Sequence, residues 1–330
     1  MNLDYSVIIR TTGKAGAKYQ ALLDSIAGLD PQPKEVIVVL PEGYALPSER
    51  LGWETFCFCP KGMVIQRLHG IAMCKTKYAL ISDDDIAFGS DFVRKLVKPL
   101  ETGRYGISAG PLPEFFPAPG MGAMIDAFTG SALPTVFHRE RYNTVLKTTG
   151  YSYNRHLEPG KLYETQSAPW TCFFADVQKL RSIRFEDELW LDKNGYSAHD
   201  DTAMFYKAWL RGVMPVVVAD ASYRHMDART STTGNPKAAT TGNPKAAFAG
   251  GFNKVVFWHR FIYSQCKNPV EKLWARICIG YQLLARYGFD LFRRLRRGAK
   301  NQAPTFRMGA RSGWYWIRST EYRALPPVRE

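Results

Sequence analysis

Short apolar runs alternate with longer stretches of helical periodicity along the first 110 residues of the chain. The runs are rich in β-branched residues and end at polar or glycine-containing turns, as strands do. Between them, apolar residues recur every three or four positions, which indicates amphipathic helices. Alternation on this scale predicts right-handed βαβ units, and so an α/β fold with a mainly parallel sheet flanked by helices. The predicted strands are 5–10, 35–40, 55–59, 78–82 and 106–109, and the predicted helices are 15–27, 63–74 and 91–100, the last with Ser90 as its cap.

The pattern is less regular beyond residue 110. Residues 111–168 are rich in Pro, Gly, Phe and Tyr and are expected to form an insertion. Strand–helix alternation then resumes, with strands predicted at 170–175 and 215–220 and a helix at 199–211. We therefore expect one α/β domain over residues 1–228.

The octapeptide TTGNPKAA occurs twice in succession, at 232–239 and 240–247. Two copies are too few and too polar for a solenoid. Their composition favours a flexible surface loop, which we place at 229–250. The remaining residues, 251–330, are expected to form a basic amphipathic helical tail, with two helices separated near Pro269.

Charge is distributed unevenly between these parts of the chain. The formal net charge is +14; residues 1–250 carry 28 basic and 26 acidic side chains, and residues 251–330 carry 16 and 4. In the second predicted helix of the tail, apolar side chains lie beside arginines, a pattern typical of helices at a membrane interface. The alternative is a helix whose apolar side packs on the body while its arginines are solvated.

Composition excludes several classes of protein. With 45% hydrophobic and 22% charged residues, the chain is globular rather than disordered or fibrous. Six scattered cysteines are too few for a disulfide scaffold and indicate a reducing compartment. The first residues lack the pattern of a secretory signal, and no apolar run is long enough for a spanning helix. We therefore expect a cytoplasmic protein.

Three consecutive aspartates, Asp83, Asp84 and Asp85, end an apolar predicted strand. Adjacent carboxylates repel one another, and a divalent cation would remove that cost. Asp83 and Asp85 could both reach one Mg²⁺ or Mn²⁺ ion, at the strand end where parallel α/β sheets bind ligands. The alternative is an acidic turn whose last aspartate caps the next helix.

Two further candidates follow in the second half of the chain. The carboxylate pair Asp200 and Asp201 opens the predicted helix at 199–211, and His225 follows the next predicted strand. Taken alone, the pair could be ordinary helix capping and the histidine a satisfied structural residue.

In this order the motifs resemble the family 2 glycosyltransferases of the GT-A fold. The opening SVIIRT, with Arg10 and Thr11, is similar to the first segment of that family. Residues 61–85, with Arg67 and Gly70, resemble its central block, in which an Arg-x-x-Gly helix leads to a D-x-D motif. The later similarities are FEDEL at 185–189, HDDTAMFYKAWLRG at 199–212 and YRH at 223–225, so that the likeness covers 5–110 and 169–226.

The resemblance implies transfer of a sugar from a nucleotide diphosphate donor to an acceptor hydroxyl, with inversion at the anomeric carbon. It implies Asp201 as catalytic base, with Asp200 beside it, and a divalent cation, Mn²⁺ or Mg²⁺. The implied metal ligands are Asp83, Asp85 and His225. The implied donor-binding residues are Thr11, Arg10, Arg67, Asp83 and Asp84, and Glu42 stands where the family usually has an aspartate that holds the nucleotide base. Trp170 is a candidate for stacking on the sugar and equally for a place in the core.

The resemblance also implies partners for the rest of the chain. Acceptors in this family include surface glycans and lipid-linked glycans, and the insertion at 111–168 is expected to lie on the acceptor side. Residues 270–300 are then expected to hold the enzyme on the anionic inner face of the cytoplasmic membrane, since basic residues near such a surface attract it.

Two alternatives stay open. A nucleotidyltransferase shares the α/β scaffold and the metal carboxylates, although TTGKAGAK after the first strand is a poor match to its glycine-rich loop. A non-catalytic nucleic-acid-binding protein would use the basic tail. Because the body is nearly neutral and no known nucleic-acid module occurs, no nucleic-acid partner is expected.

Overall fold

A computed structural model describes residues 3–226, 244–297 and 305–329. At its centre is an eight-stranded sheet whose strand order departs from the order along the chain. From one edge to the other, the strands are β10 (Leu162–Glu164), β12 (Met214–Val218), β6 (Tyr105–Ala109), β11 (Cys172–Asp176), β4 (Tyr78–Asp83), β1 (Tyr5–Arg10), β2 (Glu35–Pro41) and β3 (Thr55–Cys59).

Most neighbouring strands of this sheet run parallel. Strands β3, β2, β1 and β4 form one parallel block, and β12 is parallel to β6. Strand β11 lies between the two groups and is antiparallel to both of its neighbours, and β10 is antiparallel to β12 at the edge. The α/β class with a mainly parallel sheet is confirmed.

Helices cover both faces of the sheet, because successive side chains of each strand point to opposite faces. Val7 and Ile9 of β1 belong to one core and Ile8 to the other. Gly70 lets a helix lie directly on β1, since a β-carbon at this position would overlap the Ile8 side chain. The first core is covered by α1 (Ala17–Ala27) and α3 (Phe92–Glu101), and the second by α2 (Met63–Met73), α5 (Val177–Ser182) and α6 (Asp200–Leu210).

The prediction that Ser90 caps α3 is wrong. Asp91 occupies the cap position, and it makes no side-chain cap hydrogen bond because its carboxylate pairs with Lys95 at 2.8 Å. The Ser90 carbonyl instead accepts a hydrogen bond from the Asp30 backbone N–H at 3.0 Å.

A short two-stranded ribbon follows the carboxylate run. Strand β5 (Ile86–Phe88) pairs antiparallel with β13 (Tyr223–His225), and His225 lies opposite Ile86. Neither strand is long enough to show periodicity in the sequence. Their pairing places His225 opposite the residue that follows Asp85, although His225 and Asp85 are 140 positions apart in the sequence.

Most of the region expected as an insertion, 111–168, builds a small structure beside the main sheet, while its residues Leu162–Glu164 form β10 at the edge of that sheet. Buried aromatic side chains join it to the second core; Phe116 stacks on Tyr153 at 4.8 Å between ring centroids and also contacts Tyr142. Its elements are α4 (Met121–Phe128) and a three-stranded sheet of β7 (Ala132–Pro134), β9 (Tyr151–Tyr153) and β8 (Asn143–Val145).

The C-terminal part of the chain is helical. Helix α7 begins at Pro244, so the last seven residues of the expected 229–250 loop are helical, as the preference of proline for the first helical turn allows. The rest of the TTGNPKAA repeat lies outside the described residues. The helices are α7 (Pro244–Phe257), continued by a π-helical turn at Trp258–Ile262, then α8 (Pro269–Arg297), α9 (Thr305–Trp316) and α10 (Thr320–Arg323); the expected break near Pro269 is present.

Helix α7 is packed into the same core as the sheet rather than beside it. Its buried Asn253 donates hydrogen bonds from Nδ2 to the carbonyls of Leu191 (3.3 Å) and Ala198 (2.9 Å). Helix α9 crosses α7 so closely that β-carbons at Gly309 and Gly313 would overlap the α7 backbone. The basic extension is therefore anchored to the body by its first helix.

A fully buried carboxylate completes this anchor. Glu188 lies in the 3₁₀ segment Phe185–Asp192 and accepts two hydrogen bonds from Arg260, at 2.6 and 2.8 Å. Lys207 Nζ of α6 lies 2.8 Å from Glu188 Oε1, and Trp190 Nε1 donates to Oε2 at 2.7 Å. Burial alone would raise the pKa of Glu188, but the two cations bring it below its usual value.

We predict that Glu188→Gln lowers the free energy of unfolding by about 3–5 kcal/mol, because it leaves two buried cations without their shared anion. Urea unfolding monitored by circular dichroism measures this change. Glu186→Gln is the matched control: Glu186 is exposed, 3.8 Å from Arg184, and its loss should cost less than about 0.5 kcal/mol. Equal losses in the two variants would contradict the assignment.

Candidate functional site

The carboxyl ends of β1 and β4 lie side by side, with Arg10 opposite Asp83 in the strand register. This pairing lets the two side chains meet at the sheet edge. Arg10 binds Asp83 with both arms, since Nε lies 3.1 Å from Oδ1 and Nη2 lies 3.0 Å from Oδ2. Such bidentate pairs fix orientation as well as charge.

A second guanidinium reaches Asp83 from helix α2. Arg67 is only 2% exposed, and its Nη2 lies 2.7 Å from Asp83 Oδ1 while its Nη1 lies 3.5 Å from Asp200 Oδ2. Its guanidinium also lies over the Trp170 ring, 4.5 Å from the centroid. One buried cation thus joins the carboxylate run after β4 to the pair at the start of α6.

This arrangement bears on two of the expected site residues, Trp170 and Asp83. Trp170 was a candidate either for stacking on a sugar or for the core; it is fully buried beneath Arg67 and packs edge-on against Phe185, as a core residue does. Asp83, an expected metal ligand, has both of its oxygens engaged by Arg10 and Arg67 in this structure.

Thr11 and Asp84 are buried together, one residue beyond the Arg10–Asp83 pair. Thr11 Oγ1 donates to Asp84 Oδ2 at 2.6 Å and accepts from the Gly13 N–H at 2.9 Å. Burial raises the pKa of Asp84 to about 6, and Arg10 and the Thr11 hydroxyl oppose that rise. In this structure the two side chains therefore hold the turns after β1 and β4 together.

The β5–β13 ribbon places Asp85 and His225 next to each other. His225 Nε2 lies 3.4 Å from Asp85 Oδ1, and the Met226 N–H donates to the Asp85 carbonyl at 2.8 Å. Both side chains are mostly buried, and Phe115 packs near the imidazole at 5.5 Å between ring centroids. The pairing of β13 with β5 thus delivers the predicted histidine to the predicted aspartate.

The donor set at this point suits a divalent cation only in part. A carboxylate oxygen and an imidazole nitrogen are donors that Mn²⁺ accepts. Within the described ranges, however, no cluster of three or more His, Cys, Asp or Glu side chains is placed to hold a metal. Asp85 and His225 therefore fit as two ligands that leave further positions open, while Asp83 is engaged by two arginines in this structure.

Asp200 and Asp201 begin α6. The Trp170 N–H donates to Asp201 Oδ1 at 2.9 Å, which fixes the orientation of that carboxylate. Burial raises the pKa of Asp201 to about 6, with Arg67 opposing the rise. Burial, and next to it the charge of Asp201, raise the pKa of Asp200 as well. A carboxylate of raised pKa that is held in place is suited to accept a proton near neutral pH.

Glu42 stands apart from this group. It lies in the exposed turn after β2, where its N–H donates to the Cys59 carbonyl at 2.9 Å. Among the described residues, its carboxylate makes no hydrogen bond or ion pair. The structure thus brings together the other predicted site residues but leaves Glu42 in solvent.

Two residues of the site were missed in the sequence. Asp192 accepts hydrogen bonds from the N–H groups of Met63, Val64 and Ile65 at 3.0–3.2 Å, and so caps α2 from 129 residues away. Gln66 Nε2 donates to the carbonyls of Thr11 and Val39, both at 3.1 Å. The signal for Asp192 was indirect: α2 follows Gly62, which offers no side chain for its free N–H groups.

Comparison with known families gives one match. Residues 59–153 match the model of the family described as Glycosyl transferase family 2. The match contains the 61–85 block with Arg67 and the three aspartates, and it continues through most of the region expected as an insertion. The resemblance to this family is thereby confirmed. No curated protein shows a significant sequence match to the chain.

Solved structures show similarity at low identity. One is mannosyltransferase PcManGT from Pyrobaculum calidifontis in complex with GDP-Man and Mn²⁺, at 14% identity, with 97% of this chain and 82% of that chain covered and a TM-score of 0.46. Another is S. aureus TarS 1-349 in complex with UDP-GlcNAc, at 12% identity, with 98% and 82% covered and a TM-score of 0.45.

We predict that Asp192→Ala lowers the free energy of unfolding by about 1–2 kcal/mol, because α2 loses its acceptor at three N–H groups. Hydrogen exchange at the amides of residues 63–65 should accelerate with it. The control is Asp24→Ala, which removes an exposed carboxylate bonded only to the Gln20 side chain among the described residues. Unchanged exchange at 63–65 would show that the cap does not hold the helix end.

Proposed function

On the premise that residues 59–153 are a segment of glycosyl transferase family 2, we propose that the protein is an inverting glycosyltransferase. It would move a sugar from a nucleoside diphosphate donor to an acceptor hydroxyl. The observation that carries this proposal is the Arg67 bridge, which places the Asp200–Asp201 pair next to the carboxylate run after β4. A base and a site for a phosphorylated leaving group would then lie side by side.

Asp201 is proposed as the catalytic base. In the reaction the acceptor oxygen forms a bond to the anomeric carbon while the bond from that carbon to the diphosphate oxygen breaks, and the hydroxyl proton passes to Asp201. The hydrogen bond from the Trp170 N–H supports this role, because it holds the carboxylate in one orientation. Asp200 pairs with Arg67 and would position the start of α6.

Asp85 and His225 are proposed to hold a divalent cation, Mn²⁺ or Mg²⁺. Such an ion, when bound, stabilises the negative charge of a departing diphosphate. Arg10 and Arg67, which both pair with Asp83, would add two fixed positive charges beside that ion. The metal role of Asp83 implied by the family resemblance is not part of this proposal.

Donor and acceptor regions follow from the same arrangement. Arg10, Thr11, Arg67, Asp83 and Asp84 shape the floor of the donor side, and Glu42 would reach a nucleotide base only from the rim. Residues 111–168 are proposed to lie on the acceptor side. The acceptor would be a glycan or a lipid-linked glycan.

Turnover tests the proposal directly. With Mn²⁺ and a panel of UDP- and GDP-sugars, we expect nucleoside diphosphate release with at least one donor, and Asp201→Asn should lower kcat by about 10²–10⁴. Asp24→Asn, an exposed carboxylate outside the site, is the control. No release from any donor, or full activity of Asp201→Asn, would overturn the assignment.

The pH profile follows from the raised pKa of Asp201. The base works only when ionised, so kcat/KM should rise with pH up to about 6 and level off above it. An ordinary exposed aspartate would place this limb near pH 4, since its pKa is about 3.9. An acid limb near pH 4 would therefore contradict the buried carboxylate as base.

Measurements of metal binding distinguish the proposed role of Asp85 from that of Asp83. Titration of Mn²⁺ followed by electron paramagnetic resonance should show binding weakened by about tenfold or more in Asp85→Asn and in His225→Gln, because each removes one of two ligands. Asp83→Asn should bind Mn²⁺ within a factor of three of the unaltered chain, as long as its melting shows a folded protein. Loss of binding in Asp83→Asn alone would favour the family's usual ligand set over the one proposed.

A further inference from the structure

Helix α8 leaves its apolar side uncovered. Large hydrophobic side chains along it are 44–76% exposed, although the opposite side, with Ala275, Ile279 and Leu283, is buried against the body. At 3.6 residues per turn, the exposed positions fall within about 100° of arc and so form one stripe. The stripe consists of Val270, Leu273, Trp274, Ile277, Tyr281, Leu284 and Leu291.

Helix α4 of the 111–168 region carries a second stripe. Met121, Met124 and Phe128 are 66–71% exposed and stand three and four positions apart, which places them on one side of the helix. Phe128 meets the α8 stripe: its ring lies edge-on to that of Tyr281 at 6.3 Å, and the Tyr281 hydroxyl donates to the Phe128 carbonyl. The two stripes together are called the apolar face below.

The sequence of α8 is strongly basic. Helix α8 contains seven basic and two acidic residues, and four of its last five are arginines. Exposed Lys272 and Arg276 lie on turns that also carry the stripe. A second copy of the chain would bring two such cationic segments together, so charge disfavours a dimer and favours an anionic partner.

No helix in the described parts of the chain is long and apolar enough to cross a membrane. A helix with a basic sequence and an exposed stripe of Trp, Leu and Ile instead suits the plane of a bilayer surface, with its apolar side among the acyl chains. We propose that the apolar face, α4 and α8 together, docks the protein on an anionic lipid bilayer. The sequence indicated only residues 270–300 for this role; the contribution of α4 follows from the Phe128–Tyr281 contact.

This docking is independent of catalysis, and it is measured without a donor. If the proposed glycosyl transfer also holds, the face brings the 111–168 region to the lipid surface, and an acceptor anchored in the bilayer fits that placement. Failure of the turnover assay would leave the docking proposal intact, and failure of docking would leave the chemistry intact.

Flotation of the full chain with vesicles tests the proposal. The vesicles are phosphatidylcholine alone, or phosphatidylcholine with 30% phosphatidylglycerol, at about 0.1 M salt, where surface charge is still felt over about 10 Å. We expect the chain to float with the anionic vesicles and at least tenfold less with neutral ones. Leu284→Glu on α8 and Met124→Glu on α4 should each reduce flotation at least fivefold.

Two controls carry the same change of charge. Leu46→Glu and Met73→Glu alter side chains that are 45% and 38% exposed but lie outside the apolar face, and both should float like the unaltered chain. Flotation of Met124→Glu at the control level would overturn the role of α4. Equal loss of flotation in all four variants would show that net charge alone causes the loss, and it would overturn the docking role of the apolar face. Sedimentation as a dimer that Leu284→Glu dissociates, without flotation, would identify a second copy as the occupant instead.

Discussion

The buried guanidinium of Arg67 is the constraint on which the site depends. A charge that is nearly inaccessible to water is tolerated only with anions and hydrogen-bond acceptors around it. Asp83, Asp200, the Trp170 carbonyl and the Trp170 ring provide them. Because these groups come from β4, α6 and the segment before β11, one side chain of α2 ties three parts of the chain into a single arrangement.

This constraint divides the three consecutive aspartates into three roles. Asp83 is the anion for two arginines, Asp84 is buried against Thr11, and Asp85 turns toward His225. Repulsion between neighbouring carboxylates is thus relieved in this structure by a different partner at each of the three positions. The sequence alone could not separate these roles, since it shows three identical residues in a row.

The C-terminal extension has a buried, ion-paired part and an exposed part. Where it enters the core, Arg260 is matched by the buried Glu188, which also serves Lys207. Where it leaves the core, α8 turns an apolar stripe outward. The buried part holds the extension to the body. The exposed part presents a surface for a partner outside the chain.

Local periodicity determined most of the long elements. Strands such as β1, β2 and β4 and helices such as α2 and α6 show their type in the sequence, because each buries one repeating set of side chains. Motif order along the chain was also enough for the family resemblance and for the candidates Asp85, Asp201 and His225. Tertiary structure decided what local patterns cannot contain: the three-residue strands β5 and β13, the capping of α2 by Asp192, and the burial of Trp170. The physical reason is that each of these depends on groups more than a hundred residues apart, whose contact exists only once the sheet order is in place.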